Sequence, residues 1–294
     1  MNQQPESPLM NGKICMVTGA NSGIGKETAL GLARMGATVI MVCRSREKGE
    51  EARQDIIQRS GNAAVELMLA DLASQQSIRQ LAHNFQQRYQ QLHILVNNAG
   101  SFFLRRQLTV DGIEMFQAVN HLASFLLTNL LLNTIKASAP ARIVNVSSEA
   151  QRIGYINLDD LQLEQHYNAG RGYAQSKLEN VLFTYALARR LEGTGVTVNC
   201  LHPGVVATNI WSSPLPPFLR GLSVVSRFFG VSPEEGAYTS LYLATSPEVE
   251  GVTGKYFEKF AAQPSTPISY DVDMQERLWQ ISAELTGLPV GIGS

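Results

Sequence analysis

Short apolar runs alternate with longer segments of helical period along almost the whole chain. The runs 14–18, 38–43, 64–69, 94–96, 142–147, 197–201 and 255–257 have strand length and are apolar almost without interruption. Between them, 23–35, 46–60, 74–90, 110–136, 172–192 and 233–245 repeat apolar positions at helical spacing. Continuous rather than alternating apolar strands mean burial on both sides, as in a parallel sheet. Strands separated by helices require right-handed crossovers that cover both faces. The pattern therefore predicts an α/β fold: a single doubly wound parallel sheet of seven strands with helices on both faces. No Pro/Gly/Ser-rich linker divides it, so 1–294 reads as one domain. It comprises a polar tail (1–12), a segment suited to a lid (209–232) and a C-terminal helix (271–286) whose stripe Met274, Leu278, Ile281, Leu285 packs back on the body.

Composition narrows the function. A net charge of −1 with no basic run argues against nucleic acid as partner. The three cysteines, Cys15, Cys43 and Cys200, fall in strand segments and read as buried reduced thiols, which suits the cytoplasm. The five histidines show no metal-ligand spacing, so no metal is expected. Residues 1–12 lack the apolar core of a signal peptide. The longest apolar stretch, 122–132, is broken by Ser124, Thr128 and Asn129 and is short of the roughly 20 residues that span a bilayer. The expectation is a chain that does not cross a membrane.

Candidate chemistry gathers at the strand ends, where such sheets bind ligands. Gly19, Asn21, Ser22, Gly23, Ile24 and Gly25 join the first strand to the first helix. A glycine turn there admits a pyrophosphate to backbone amides, and the helix dipole favours the anion. An ordinary strand–helix turn is the alternative. The second strand ends in Cys43-Arg44-Ser45-Arg46, with no acid until Glu47. Arg44 can pair with a 2′-phosphate where an acid would hold the ribose of NAD, so the cofactor reads as NADP(H) unless Arg44 is merely a solvated loop charge. Asp71 and Leu72 can border the adenine, and Asn98, Ala99 and Gly100 form a small-residue turn under the dinucleotide. Tyr173 and Lys177 lie one helical turn apart, so their side chains share a face. An ammonium beside the phenol would favour the phenolate and lower its pKa from about 10, giving an acid/base device. A partly buried Tyr and a surface Lys on an amphipathic helix is the plainer reading of that spacing. Ser148 ends the fifth strand, where its hydroxyl can steady a substrate oxygen, and alternation sends Ser147 to the opposite face. Asn120 sits in an apolar helix, where an amide needs a partner.

These motifs together resemble the short-chain dehydrogenases/reductases, and within them the retinol dehydrogenase branch. The likeness runs over about 12–260 through Thr18-Gly-Ala-Asn-Ser-Gly-Ile-Gly25, Asn97-Asn-Ala-Gly100, Asn120, Ser148, Tyr173-x-x-x-Lys177 and Pro203-Gly204-x-x-x-Thr208. Cys43-Arg44 with Glu47-Lys-Gly49, Val119-Asn-His121 and His202-Pro-Gly-Val205 carry the branch likeness. The resemblance implies a Rossmann-type fold and catalytic roles for Asn120, Ser148, Tyr173 and Lys177. Ser148 rather than Ser147 is the family's serine position. Asn120 would hold a water in a proton relay from Lys177, with a locally bonded core amide as the alternative. Lys177 would also bind the nicotinamide ribose, and Pro203, Gly204, Val206 and Thr208 would flank the nicotinamide. The insert 151–171 matches the branch and should border the pocket, with Tyr155 and Tyr167 as rivals to Tyr173 that lack a lysine four residues on.

Trp211, Phe218, Phe228 and Phe229 make 209–232 strongly apolar, which suits a lid over an apolar alcohol, aldehyde or ketone, or a shallow contact with a membrane surface. Many retinol dehydrogenases begin with a membrane anchor and residues 1–12 do not, which leaves room for a general carbonyl reductase. The apolar helices 112–136 and 172–192 can pair between subunits in a homo-oligomer. The reading is NADP(H)-dependent interconversion of an apolar alcohol and its carbonyl. Reduction of a carbon–carbon double bond in a pigment or sterol, and a cofactor-binding redox sensor or scaffold, are the alternatives.

Overall fold

The strands are short because each needs only to cross one buried sheet. In the computed structural model, which describes residues 10–204, 231–289 and 291, they are β1 Ile14–Thr18, β2 Thr38–Cys43, β3 Val65–Leu69, β4 Ile94–Asn97, β5 Ala141–Val146, β6 Val196–His202, β7 Tyr256–Glu258 and β8 Ala261–Gln263. Their order across the sheet is β3-β2-β1-β4-β5-β6-β7-β8. The first seven are parallel, in the Rossmann manner, and β8 runs antiparallel to β7. β8 is a difference from the seven strands the pattern predicts. Its three residues, Ala-Ala-Gln, are exposed and carry no apolar run. It exists because Lys259 and Phe260 both take positive φ, 46° and 67°, and so close a two-residue hairpin.

Among the described residues seven α-helices cover the sheet: α1 Gly23–Arg34, α2 Arg46–Ser60, α3 Gln75–Arg88, α4 Ala123–Lys136, α5 Ala169–Arg190, α6 Pro233–Thr245 and α7 Val272–Thr286. Side-chain alternation divides each strand between two cores. Met16 and Ile40 face α3, α4 and α5 with Phe125, Phe183 and Trp279, whereas Cys15, Val17, Val39 and Met41 face α1, α2 and α6. Side chains close several helix starts: Ser45 accepts from Lys48 N, Ser74 from Ser77 N, Asn168 from Arg171 N and Asp271 from Met274 N. Ser232 and Glu235 form a reciprocal cap on α6.

The predicted helix 110–136 divides. Gly112 (φ 73°) turns the chain, Leu108 bridges to Glu114, and helix begins at 115. Its first part, Gln117–Leu122, is a wide π-helical turn before α4. Gln117–Lys136 is one described helix long and apolar enough to cross a membrane, and 78% of its apolar window is buried inside the fold. The length of apolar sequence was thus greater than 122–132 suggested, and its partners are protein. α4 packs on α3, and α5 is covered by α7, so the helices offered by the pattern for subunit pairing have partners within the chain. α7 docks as its stripe predicts, with Leu278 buried among Ile156, Leu161, Leu178 and Leu182.

Candidate active site

The sheet's order reverses at β1, whose neighbours are β2 and β4, and the loops leaving β1 and β4 are stitched together there. Thr18 Oγ1 accepts from the N–H groups of Asn98 and Ala99, both at 3.0 Å, and gives its own proton to Val96 O at 3.4 Å. Asn98 Nδ2 donates to Thr18 O at 2.8 Å. A Cβ at Gly25 would lie 2.4 Å from both Asn98 Nδ2 and Gly19 O. Only glycine allows α1 to start so close to the strand ends. α1 opens at Ser22 without a side-chain cap, which leaves its first N–H groups for an anion. Asn21, Gly23 and Ile24 line this turn half-buried.

Arg44 follows β2, exposed and without an ion pair among the described residues. Asp71 is exposed and uses Oδ1 to accept from Ala73 N at 3.0 Å, while Leu72 packs partly against the α3–α4 core. Pro203 and Gly204 follow β6, half-buried, with Gly204 at φ 89°. Val206, Thr208 and the lid segment up to 230 lie outside the described residues. A surface cavity of about 410 Å³ lies against β3 and α3, lined by Arg46, Leu67, Leu69 and Arg88, and contains none of the catalytic candidates.

The catalytic candidates converge from three elements. α5 carries Tyr173 and Lys177, with Lys177 Nζ 5.6 Å from the Tyr173 ring centre. Lys177 is buried and donates to Val146 O at 3.2 Å. Gly100 brings the β4 loop to the same place: a Cβ there would be 3.1 Å from Lys177 Nζ and 3.5 Å from Asn120 Oδ1. Ser148, just past β5, accepts from Ala150 N at 3.2 Å and lies near enough to the Tyr173 hydroxyl to draw its pKa downward. Ser147 Oγ donates to Lys177 O at 2.7 Å. Both hydroxyls thus meet α5, Ser147 at a backbone carbonyl and Ser148 near the Tyr173 hydroxyl. Asn120 is held on all sides: Oδ1 accepts from Ser101 N (2.8 Å), and Nδ2 donates to Ser101 O (3.0 Å) and Ser176 Oγ (3.1 Å).

One electrostatic expectation is overturned. The lysine was to lower the tyrosine's pKa, but burial raises Tyr173 above its usual value, and the nearby Ser148 side chain opposes that only in part. The same burial pulls Lys177 down to about 8. Lys177 therefore still carries its charge at neutral pH, but loss of water around the phenol sets the direction of the Tyr173 shift.

The rival tyrosines separate cleanly. Tyr167 commits its hydroxyl to Phe103 O at 2.7 Å, and Tyr155 is exposed beneath the guanidinium of Arg171, 5.6 Å from its ring. The insert contributes Ile156 and Leu161 to the core over α5 and α7, and Tyr167 to the aromatic group around Phe116. Sequence reasoning missed Phe102 and Phe116, whose ring centres lie 5.5 and 6.3 Å from that of Tyr173 and make its surroundings apolar. It also missed a buried ladder under the site, in which Asn97 Nδ2 donates to Thr128 Oγ1 (2.9 Å) and Asn145 Oδ1 (2.8 Å), and Asn145 Nδ2 to Thr184 Oγ1 (2.9 Å). Amides inside otherwise apolar strands were the available signal.

Comparison with known proteins agrees with this geometry. A family model described as short chain dehydrogenase matches residues 13–215. The chain is 47% identical to mouse retinol dehydrogenase 14 over 95% of its length and 87% of the relative's. It is 48% identical to the human protein of that name over 95% and 88%, and 45% identical to human retinol dehydrogenase 13 over 97% and 87%. A solved structure of a putative uncharacterized protein from Mycobacterium paratuberculosis superposes with a TM-score of 0.77 at 33% identity, covering 95% of each chain. A short chain dehydrogenase from Shigella flexneri, solved in complex with NADP, gives a TM-score of 0.63 at 26% identity over 86% of this chain and 98% of its own. The chain belongs to the short-chain dehydrogenase/reductase family, on its retinol dehydrogenase branch.

Proposed function

We propose that this oxidoreductase uses NADP(H) to interconvert an apolar alcohol with its aldehyde or ketone, with carbonyl reduction as the usual direction. The observation that carries the reading is the convergence of Tyr173, Ser148 and Lys177 on the loop Asn98–Ala99–Gly100. The residues present fit the cofactor: a cradle at Gly25 that a Cβ would fill, an uncapped start to α1, and an unpaired Arg44 where a 2′-phosphate would lie. Gly19, Asn21, Ser22, Gly23, Ile24, Gly25, Arg44, Asp71, Asn98, Ala99, Gly100, Pro203, Gly204, Val206 and Thr208 would hold it, Leu72 bordering the adenine. When bound, the nicotinamide supplies or takes up the hydride.

The chain's own groups handle the proton. Burial keeps Tyr173 protonated, the form that gives a proton to a carbonyl oxygen during reduction. Ser148 binds that same oxygen and steadies its growing charge. Lys177, held near 8, replenishes or accepts the proton, and Asn120 anchors the segment beside it. The rings of Phe102 and Phe116 favour an apolar substrate by excluding water around Tyr173. Retinol, in the relatives' names, belongs to that class. The protein works in the cytoplasm, free or at a membrane surface.

The test is NADPH consumption by the purified chain over a panel of apolar aldehydes and ketones that includes retinal, with NADH in parallel. Turnover that favours NADPH and long apolar carbonyls supports the reading. Cofactor binding without turnover on any carbonyl overturns it, in favour of a double-bond reductase or a redox sensor.

A further inference from the structure

A buried carboxyl that the proposed mechanism does not use sits on the helix that carries it. Glu179 lies on α5, two positions after Lys177, and is fully shielded from solvent. Gln117, itself buried, brings its amide to Glu179, and with the amide oriented to satisfy its surroundings the nitrogen donates to both Glu179 oxygens at 2.9 Å each. Gln175 Nε2 donates to Glu179 Oε1 at 3.1 Å and to Leu161 O at 2.8 Å. Among the described residues Glu179 has no ion-pair partner. Burial without a cation pushes its pKa well above the usual carboxylate range. A leucine of similar size would fill the site at less cost, so stability does not account for the residue.

Its partner does. Gln117 opens the wide turn Gln117–Leu122, and Asn120 follows one turn later. Such turns are rare and persist where their surroundings enforce them, often at functional sites. Here Glu114 Oε2 holds the N–H groups of Phe116 (2.8 Å) and Gln117 (3.1 Å) from one side. Glu179 holds the Gln117 side chain from the other.

We propose that Glu179 is a positioning residue: through Gln117 it clasps the Asn120 turn to α5 and so sets Asn120 against Ser176, next to Tyr173 and Lys177. The clasp rests on the oxidoreductase reading for its kinetic consequence and stands apart from it structurally.

The test uses the full chain with Glu179→Leu, Glu179→Gln, Gln117→Leu and the double leucine variant. Steady-state kinetics with NADPH and an apolar aldehyde are measured beside hydrogen exchange of peptides covering 117–122. Glu179→Leu and Gln117→Leu should each lower kcat by about ten- to hundredfold, the scale of misplacing a catalytic group by an ångström. KM for NADPH should stay near wild type, and exchange should quicken at 117–122. The double variant should be no worse than either single, because both break one contact. Glu179→Gln should restore most of the rate, since its amide oxygen still accepts from Gln117 and Gln175. Unchanged kcat in Glu179→Leu overturns the proposal, as does equal loss of kcat and cofactor affinity with faster exchange throughout α5. So does a Glu179→Gln variant as impaired as the leucine. If Glu179→Leu fails to fold, Gln117→Leu decides by the same readouts. If the wild-type chain turns over no carbonyl, the oxidoreductase reading fails. Exchange at 117–122 then still judges the clasp: faster in Gln117→Leu supports it and unchanged overturns it.

Discussion

Thr18→Val should loosen the cofactor loop without changing the shape of the side chain that holds it. The hydroxyl has two acceptor sites and one proton, and all three are used, by Asn98 N, Ala99 N and Val96 O. Thr18 is 2% exposed, so its own oxygen has no water to fall back on. The valine leaves the two donors unequal. Asn98 N also points at Val96 O, 3.0 Å away, and keeps that partner, while Ala99 N loses the acceptor that Thr18 provides. Because the loop is half-buried, the cost is that of roughly one unsatisfied N–H, about 1–3 kcal/mol. Unfolding entropy for a chain of this length is about 0.6 kcal/mol/K, so Tm should fall by about 2–5 °C. The same slack should raise the Kd for NADPH several-fold, because Asn98, Ala99 and Gly100 form the floor proposed for that site. Differential scanning fluorimetry and a fluorescence titration of NADPH read the two effects, with Thr18→Ser as control. The serine keeps every hydrogen bond and should track wild type in Kd. A valine variant with unchanged Tm and Kd would refute the stitching argument. A serine variant as weak as the valine would assign the effect to the lost methyl instead.

Tyr173→Phe should abolish turnover while leaving NADPH affinity near wild type, as measured by fluorescence titration; a variant that keeps its rate removes Tyr173 from the chemistry. Arg44→Ala should weaken NADPH binding about tenfold and NADH binding little, because a charge-assisted pair to a phosphate has a strength of about 1.5–3 kcal/mol when partly shielded. Equal losses would show that Arg44 does not read the 2′-phosphate. Lys177→Met should stop turnover yet stabilise the cofactor-free fold at pH 7. Burial holds the folded pKa at about 8 against an ordinary 10.5. Wild type therefore bears the whole cost of a buried ammonium below pH 8 and sheds it as pH rises toward 10.5. The Tm advantage of the methionine variant should shrink across that window, and a gain that is flat with pH would contradict the shift.

The sheet was legible because its strands are apolar on both faces, and seven of them stand within a residue or two of their predicted limits. β8 was not, since its pairing comes from a hairpin turn of Lys259 and Phe260, neither of which advertises positive φ. The helix over 110–136 was read too long at its start, although Asp111-Gly112 announces a turn. Its wide turn was invisible because a helix buried on every side shows no periodicity for a bulge to interrupt. Among the candidate residues, spacing alone brought Tyr173 to Lys177. Charge state was a different matter. A pKa depends on how much water the fold removes, and no spacing reports that, so the shift of Tyr173 was assigned the wrong sign. Glu114, Gln117 and Glu179 were passed over for a related reason: each looks like a solvated helix residue until the partner that buries it is known.

The docking of α7 on α5 has a consequence in time. Arg189 and Gln275 meet across 86 positions of chain, which a ribosome adding about 5–20 residues per second takes roughly 4–17 s to make. Through that interval the outer side of α5, with Leu178 and Leu182, and the rings of Phe125 and Phe183 have no Leu278 or Trp279 to cover them. The nascent chain therefore presents the sticky back of α5 until the last helix emerges. Truncations before α7 should be cleared by chaperones and proteases while every catalytic candidate is still encoded.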